Sequence, residues 1–520
     1  MKNKKYNNFQ RLLLVCIWTS LVVQGLFFVF FIKEAVTPDE NYHLSLIELH
    51  AHSWKMYPSH VPETEVHGAI EGTPYFYHLF MGKLFHLLPQ GIPLRILVKM
   101  IGFLFSLGTI FFAWRTFEHV AGKGYINILA LGISSHLLGY IYLTGSVSYD
   151  IFANFFASGS IFLFVVFLQQ KDTKSFLLCI GFLALGSISK ITILPLAGIL
   201  GILMFVAGRK QIFQKQFWAP LFVKKMGYFL LLSTVVPVFL GIYLYGGNLF
   251  QYHRLLPTCE QVLSREVCQK NPFVKRDERF GKEQENIQNS YAYTPMSYGL
   301  EWASLMNQKI TGIEVYQKIC HTKNADSCSL APEEYFWWRE HIYPPKWFQN
   351  ITIVLVVISF FCATLLGATS FFKIPLFSYM PKKIPWKSLL TLTIITIFYA
   401  TTILWVNYHA YLLSGRTNTA LHGRYLFPVL PILCFLGVYF FLIFLPERLQ
   451  AVTTVFLFSL FFWGSLPTLL LHSESKYITT FEEGLLPDGP CNAQSPYCGP
   501  LNPDQWEYCP SERAWKCIDK

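Results

Sequence analysis

Residues 12–32 read LLLVCIWTSLVVQGLFFVFFI, and residues 37–43 read TPDENYH. The first stretch is long enough to cross a hydrocarbon core, which takes about 20 apolar residues. The second places two adjacent carboxylates, Asp39 and Glu40, and a histidine, His43, just beyond the end of that crossing. The basic flank MKNKKYNNFQR resembles the start of a signal sequence, but the apolar run behind it is too long for an h-region and no A-x-A-like site follows. It reads as a retained first helix.

The same pattern recurs along the chain. Of 520 residues, 53% are hydrophobic and 14% charged, a balance that excludes an ordinary soluble domain and indicates a polytopic membrane protein. Apolar windows fall at 12–32, 94–114, 125–145, 150–169, 175–189, 191–208, 226–245, 349–368, 388–407, 425–445 and 450–471, so the expectation is an all-α bundle of about 11 transmembrane helices. With the N-terminus inside, the Lys and Arg clusters fall on the cytoplasmic side, and the net charge of +11 reports orientation and not nucleic-acid binding. The run 175–208 is broken only by Lys190, and two short helices meeting at an outer-face Lys190 keep the charge pattern intact.

This topology leaves a first outer loop at 33–93, a large outer loop at 246–348 and an outer tail from 472, so 1–471 form the membrane domain and 472–520 a separate tail. Cys16, Cys179, Cys362 and Cys434 lie in apolar runs as small buried hydrophobes. Cys259, Cys268, Cys320, Cys328, Cys491, Cys498, Cys509 and Cys517 all lie in outer segments, as disulfides on an oxidising side would, with sequence neighbours as the simplest pairing. None shows the short spacing of a zinc site, and His50 and His52 are too weak a pair to define a metal site. Tyr42, Leu46 and Leu49 share one face of an amphipathic helix in the first loop.

TPDENYH has a purely structural explanation. Thr37 with Glu40 matches a capping box, and Pro38 sits at the favoured first helical position. That explanation does not require Asp39. Neighbours on a helix point about 100° apart, so one carboxylate acts and the other caps, with His43 within reach of either. Asp150, in GSVSYD (145–150), is either an N-cap of the fourth span or an acid of the same site. Lys190 and the stretch HGRYLFP, with His422, Arg424 and Tyr425, lie at the same outer boundary. Cations there suit a phosphate, and a nearby carboxylate suits deprotonation of a hydroxyl.

TPDENYH, EGTPYFYHLF (71–80), GSVSYD, ISKITILP (188–195) and HGRYLFPVLP (422–431) together resemble the GT-C superfamily of integral membrane glycosyltransferases, nearest to bacterial membrane proteins with a PDExxH pattern after the first helix. The likeness spans roughly residues 10–440. It implies inverting transfer of a sugar from a polyprenyl-phosphate donor to an envelope glycan, lipid or protein on the periplasmic face of a bacterial inner membrane. It implies Asp39 as catalytic base, Glu40 in support, and Lys190 and Arg424 as donor-phosphate contacts, with His43, Tyr75, His78, Tyr149, His422 and Tyr425 in the matching segments as candidate substrate contacts. A divalent cation bridging Asp39 and the phosphate is left open. The rival class is a transporter or flippase of a lipid-linked or anionic substrate, whose mark is charge inside the spans. Lys99, read as near the inner side, is the main such charge.

Overall fold

Helix α1 (Asn8–Phe31) opens on a capping box: Gln10 N donates to Asn7 Oδ1 at 2.8 Å and Asn7 N donates to Gln10 Oε1 at 3.1 Å. In the computed structural model the described residues are 5–32, 39–52, 54, 70–87, 93–223, 225–271, 274–275, 278, 293–320, 335–342, 385–414, 423–472, 506–509 and 514–517. Two shorter helices come after α1, namely α2 (Glu40–His52), which is buried along most of its length, and α3 (Phe76–Leu87). Then come α4 (Leu94–Ala121), α5 (Tyr125–His136), α6 (Leu138–Thr144), α7 (Tyr149–Gln170) and α8 (Thr173–Ser189). A short 3-10 turn, Ile191–Ile193, leads into α9 (Leu194–Ile212).

Beyond these lie α10 (Lys215–Val223), α11 (Lys225–Gly241), a π turn (Ile242–Gly246) and α12 (Gly247–Tyr252). The short helices α13 (Cys259–Val262) and α14 (Arg265–Lys270) and the amphipathic α15 (Pro295–Thr311) come next. The chain returns through α16 (Trp386–Ser414), a 3-10 segment (Gly423–Leu426), α17 (Leu430–Leu442), α18 (Glu447–Trp463) and α19 (Leu466–His472). The described protein is nearly all helical. Two small antiparallel pairs are the described strands, β1 (Ile313–Cys320) with β2 (Tyr335–Ile342) and β3 (Trp506–Cys509) with β4 (Ala514–Cys517).

Among the described residues seven helices are long and apolar enough to cross a membrane, or eight if the bent pair α5 and α6 is one span, and two shorter apolar helices, Thr173–Ser189 and Leu430–Leu442, accompany them. These positions match the expected spans except 349–368, which lies outside the described residues. The chain is a multi-pass membrane protein. Exposed Phe229, Leu232 and Phe239 along α11 and Leu12, Val15 and Val23 along α1 are faces suited to hydrocarbon. The largest core joins α1, α4 to α9 and α16 to α18. α7 is the most enclosed of the candidate spans.

Three details depart from expectation. The third span is not straight but bends by 65° between α5 and α6, where Leu137 takes an extended backbone and buried His136 is held by Ser20 Oγ at 2.5 Å. The tenth begins at Leu430 and not at 425, because Gly423–Leu426 winds as a 3-10 turn. And α2 does not start at a Thr37 capping box: its first residue is Glu40, and the Asp39 carbonyl accepts from His43 N at 3.0 Å. Thr37 and Pro38 lie outside the described residues.

Other expectations are met. The apolar run breaks at Lys190, where α8 ends. Leu46 packs in one cluster with Tyr42 and Leu49. Cys259 and Cys268 form a disulfide that covers Ile70. The pairings of Cys320, Cys328, Cys491, Cys498, Cys509 and Cys517 fall outside the described side chains. Near that disulfide, Asn248 Nδ2 donates to the carbonyls of Gly72 at 2.8 Å and Leu255 at 2.9 Å, and the Gly72 φ of 86° suits only glycine.

Helices α2 and α3 touch backbone to backbone at Gly82, where an added Cβ would lie 2.4 Å from the Ile47 carbonyl and 2.7 Å from Ala51 N. Gly82→Ala should therefore cost about 1–3 kcal/mol through overpacking. Gly198→Ala, with nothing within 4 Å, should be neutral or stabilising. Thermal midpoints in detergent check both, and equal midpoints for the two variants would refute the close approach.

Candidate functional site

Asp39 immediately precedes α2, Asp150 lies in the first turn of α7, Lys190 separates α8 from α9, and Arg424 precedes α17. Alternating helix directions bring all four to one end of the bundle. Asp39 stands at φ 62, a left-handed conformation that Asp tolerates better than most residues, and its carboxylate meets Arg424 Nη2 at 2.7 Å. The side chain of Asp39 remains 48% exposed, whereas that of Arg424 is 13% exposed.

Asp150 is buried. Ser148, and not Asp150, is the N-cap of α7: its Oγ accepts from Asp150 N at 3.2 Å and donates to Asp150 Oδ2 at 3.1 Å. Asp150 instead faces two cations, forming an ion pair with Lys190 and lying 3.4 Å from Arg424 Nε. The Lys190 ammonium is sandwiched between the rings of Tyr149, 4.6 Å away, and Tyr425, 4.5 Å away. Tyr399 donates its hydroxyl to the Tyr425 carbonyl at 3.0 Å and so ties the 3-10 segment carrying Arg424 to α16. Burial opposes the charge of Arg424, but Asp150 and Asp39 more than offset it and hold the guanidinium protonated.

His43 and His78 form a buried imidazole pair beside these charges, with Nδ1 of the first 3.0 Å from Nε2 of the second, and His43 packs 4.6 Å from the Tyr149 ring. Burial pushes His43 down to about 4, Asp39 opposing and Arg424 reinforcing. Burial, then the neighbouring histidines His43 and His50, hold His78 well below its ordinary value. Both are neutral at pH 7, so one donates and the other accepts. His43 Nε2 is buried and has no hydrogen-bond partner.

Glu40 takes a different set of partners. Its side chain is fully buried, 3.3 Å from Arg95 Nε and 3.4 Å from Lys99 Nζ, both on the first turns of α4. Lys99 also donates to the Ile32 carbonyl at 3.4 Å. Lys99 is therefore no isolated charge near the inner side: it belongs to the Glu40 end of the bundle and balances that carboxylate. Arg95 was not singled out from the sequence, although its i, i+4 spacing with Lys99 at the first turns of α4 is a signal that two cations share a face.

The remaining predicted residues divide. Tyr149 and Tyr425 join the charged cluster, and His78 joins through His43. Tyr75 does not, packing with Leu46, Ile188, Leu244 and Tyr245 in an apolar cluster. His422 lies outside the described residues. Among the described residues no group of three or more His, Cys, Asp or Glu could hold a metal ion, and Asp39 and Asp150 are already faced by Arg424 and Lys190.

No family model matches the chain, and no curated protein matches it. Crystal structures of ArnT from Cupriavidus metallidurans, in the apo state and bound to undecaprenyl phosphate, are similar to it at 12% identity, over 82% of this chain and 77% of that one, with a TM-score of 0.32 in each case. At that distance the likeness carries no argument about activity.

The geometry sets two outcomes. Because His43 binds its proton near 4 when folded and near 6.5 when unfolded, the stability it contributes is complete above 6.5 and is lost as pH falls towards 4. The thermal midpoint of wild type should fall over that window, and His43→Asn combined with His78→Asn should flatten the slope; equal slopes would assign the acid sensitivity elsewhere. Glu40→Gln leaves two buried cations without their carboxylate and should cost about 3–5 kcal/mol, read as a large drop in thermal midpoint. A midpoint within error of wild type would show that Glu40 is not what holds α2 to α4.

Proposed function

We propose that this protein is a GT-C-type glycosyltransferase that moves a sugar from a polyprenyl-phosphate donor to an acceptor hydroxyl. The observation that supports this reading is the meeting of a half-exposed carboxylate, Asp39, with the guanidinium of Arg424 at one end of a membrane bundle, where a base and an anion receptor are both needed. The buried charges of the described helices also gather at this end, around Asp150 and around Glu40, as surface chemistry requires and as a charged path through the bilayer does not.

In this reading Asp39 takes the proton of the acceptor hydroxyl. The acceptor oxygen bonds to the anomeric carbon as the bond from that carbon to the phosphate oxygen breaks. The electron pair stays on the phosphate, whose growing charge Arg424 neutralises. The Asp150–Lys190 pair, gripped by two tyrosine rings, positions Arg424 and does not itself face the donor. In this reading that end faces the periplasmic side of an inner membrane, the side that the Lys and Arg distribution of the sequence favours, with residues 1–471 as the transferase and 472–520 as an outer tail.

Asp39→Asn should lower transfer from lipid-linked sugar by about 10²- to 10⁴-fold, the usual size of general-base help, with wild-type monodispersity in detergent. Turnover of lipid-linked sugar in membranes from cells carrying each form is the measurement. Wild-type turnover in a well-folded variant would remove Asp39 from the chemistry.

A further inference from the structure

Asp39 and Asp150 bring two negative charges to the site, and Arg424 and Lys190 bring two positive ones. The set is neutral. A phosphate that enters it finds no cation to spare within that set, so one internal pair must open.

Burial decides which. Lys190 and Asp150 are each 3% exposed, and the ammonium is enclosed by the rings of Tyr149 and Tyr425. Parting them would strand two charges away from water. Asp39 is 48% exposed, and a pair with one partner in water is weak because water takes over the carboxylate when it opens. The receptor side also has capacity: Arg424 Nε is buried and has no hydrogen-bond partner, lying 3.4 Å from Asp150 Oδ2 without hydrogen-bond alignment. A buried, unsatisfied guanidinium N–H calls for an acceptor, and a phosphate offers oxygens in the bidentate geometry that suits it.

We infer that Arg424 is a switch between two anions: it holds Asp39 as the structure shows, and the phosphate of an isoprenoid-linked donor displaces Asp39 and so releases the base. The inference rests on the transferase reading above. It makes binding ordered, donor before acceptor, because the carboxylate is neutralised by Arg424 until a phosphate takes its place.

The test is equilibrium binding of farnesyl phosphate to the purified full chain in detergent, with farnesol and inorganic phosphate as controls. Asp39→Asn removes the competing anion and should bind farnesyl phosphate about two- to fivefold more tightly, the reach of an exposed ion pair, while losing transfer. Arg424→Lys should bind it at least about tenfold more weakly through loss of the bidentate contact. Farnesol should not distinguish the three proteins, and inorganic phosphate should bind more weakly than farnesyl phosphate. Unchanged or weaker farnesyl phosphate binding by Asp39→Asn, with Arg424→Lys still impaired, overturns the switch and leaves the transferase reading standing. Farnesyl phosphate binding no tighter than farnesol in the wild type overturns both, and inorganic phosphate binding as tightly as farnesyl phosphate overturns the isoprenoid-linked donor.

Discussion

One guanidinium faces two carboxylates that the sequence keeps far apart: Arg424 bonds Asp39, 385 positions earlier, and lies beside Asp150 on a third helix. An arginine this enclosed is tolerated only where negative charge surrounds it. That requirement fixes which helix ends must meet. The start of α2, the start of α7, the break between α8 and α9 and the segment before α17 converge because each brings a charge that the others neutralise. The apolar core beneath supplies the favourable packing, and the charges select the arrangement.

A second set of charges does mechanical work beside the first. Glu40 is one residue from Asp39 yet turns to Arg95 and Lys99 on α4. The left-handed backbone at Asp39 is what lets adjacent carboxylates diverge so fully. One is committed to fastening α2 to α4, and the other remains at the water boundary. His43 and His78 then join α2 to α3, and Gly82 brings these two helices into backbone contact. Helices α2 and α3 are thus tied to the bundle by ionic, imidazole and steric constraints in turn.

Much of this was legible in the sequence for one reason: crossing a bilayer demands long apolar runs, so polar residues at their edges stand out. The described helices coincide with those runs, and Asp39, Asp150, Lys190 and Arg424 could be assigned to one side from them. Local backbone geometry was not legible. The sequence around Leu137 contains no proline to announce a bend, and a capping-box match hid the left-handed Asp39. Pairing was not legible either. Lys99 looked like a stray intramembrane charge because its partner sits across a loop, and Tyr75 was a candidate only through the resemblance carried by EGTPYFYHLF, whereas it packs in an apolar cluster.

The bend between α5 and α6 sets the depth of the turn that carries Asp150. Measured along the axis of α5, the seven residues of α6 advance only about 4 Å, where a straight helix rising 1.5 Å per residue would advance about 10 Å. The turn bearing Ser148 and Asp150 is therefore sunk by roughly 6 Å along that axis relative to an unbent span. Asp150 and Lys190 are thereby enclosed by the helix ends around them, each 3% exposed, and do not stand at the rim of the bundle.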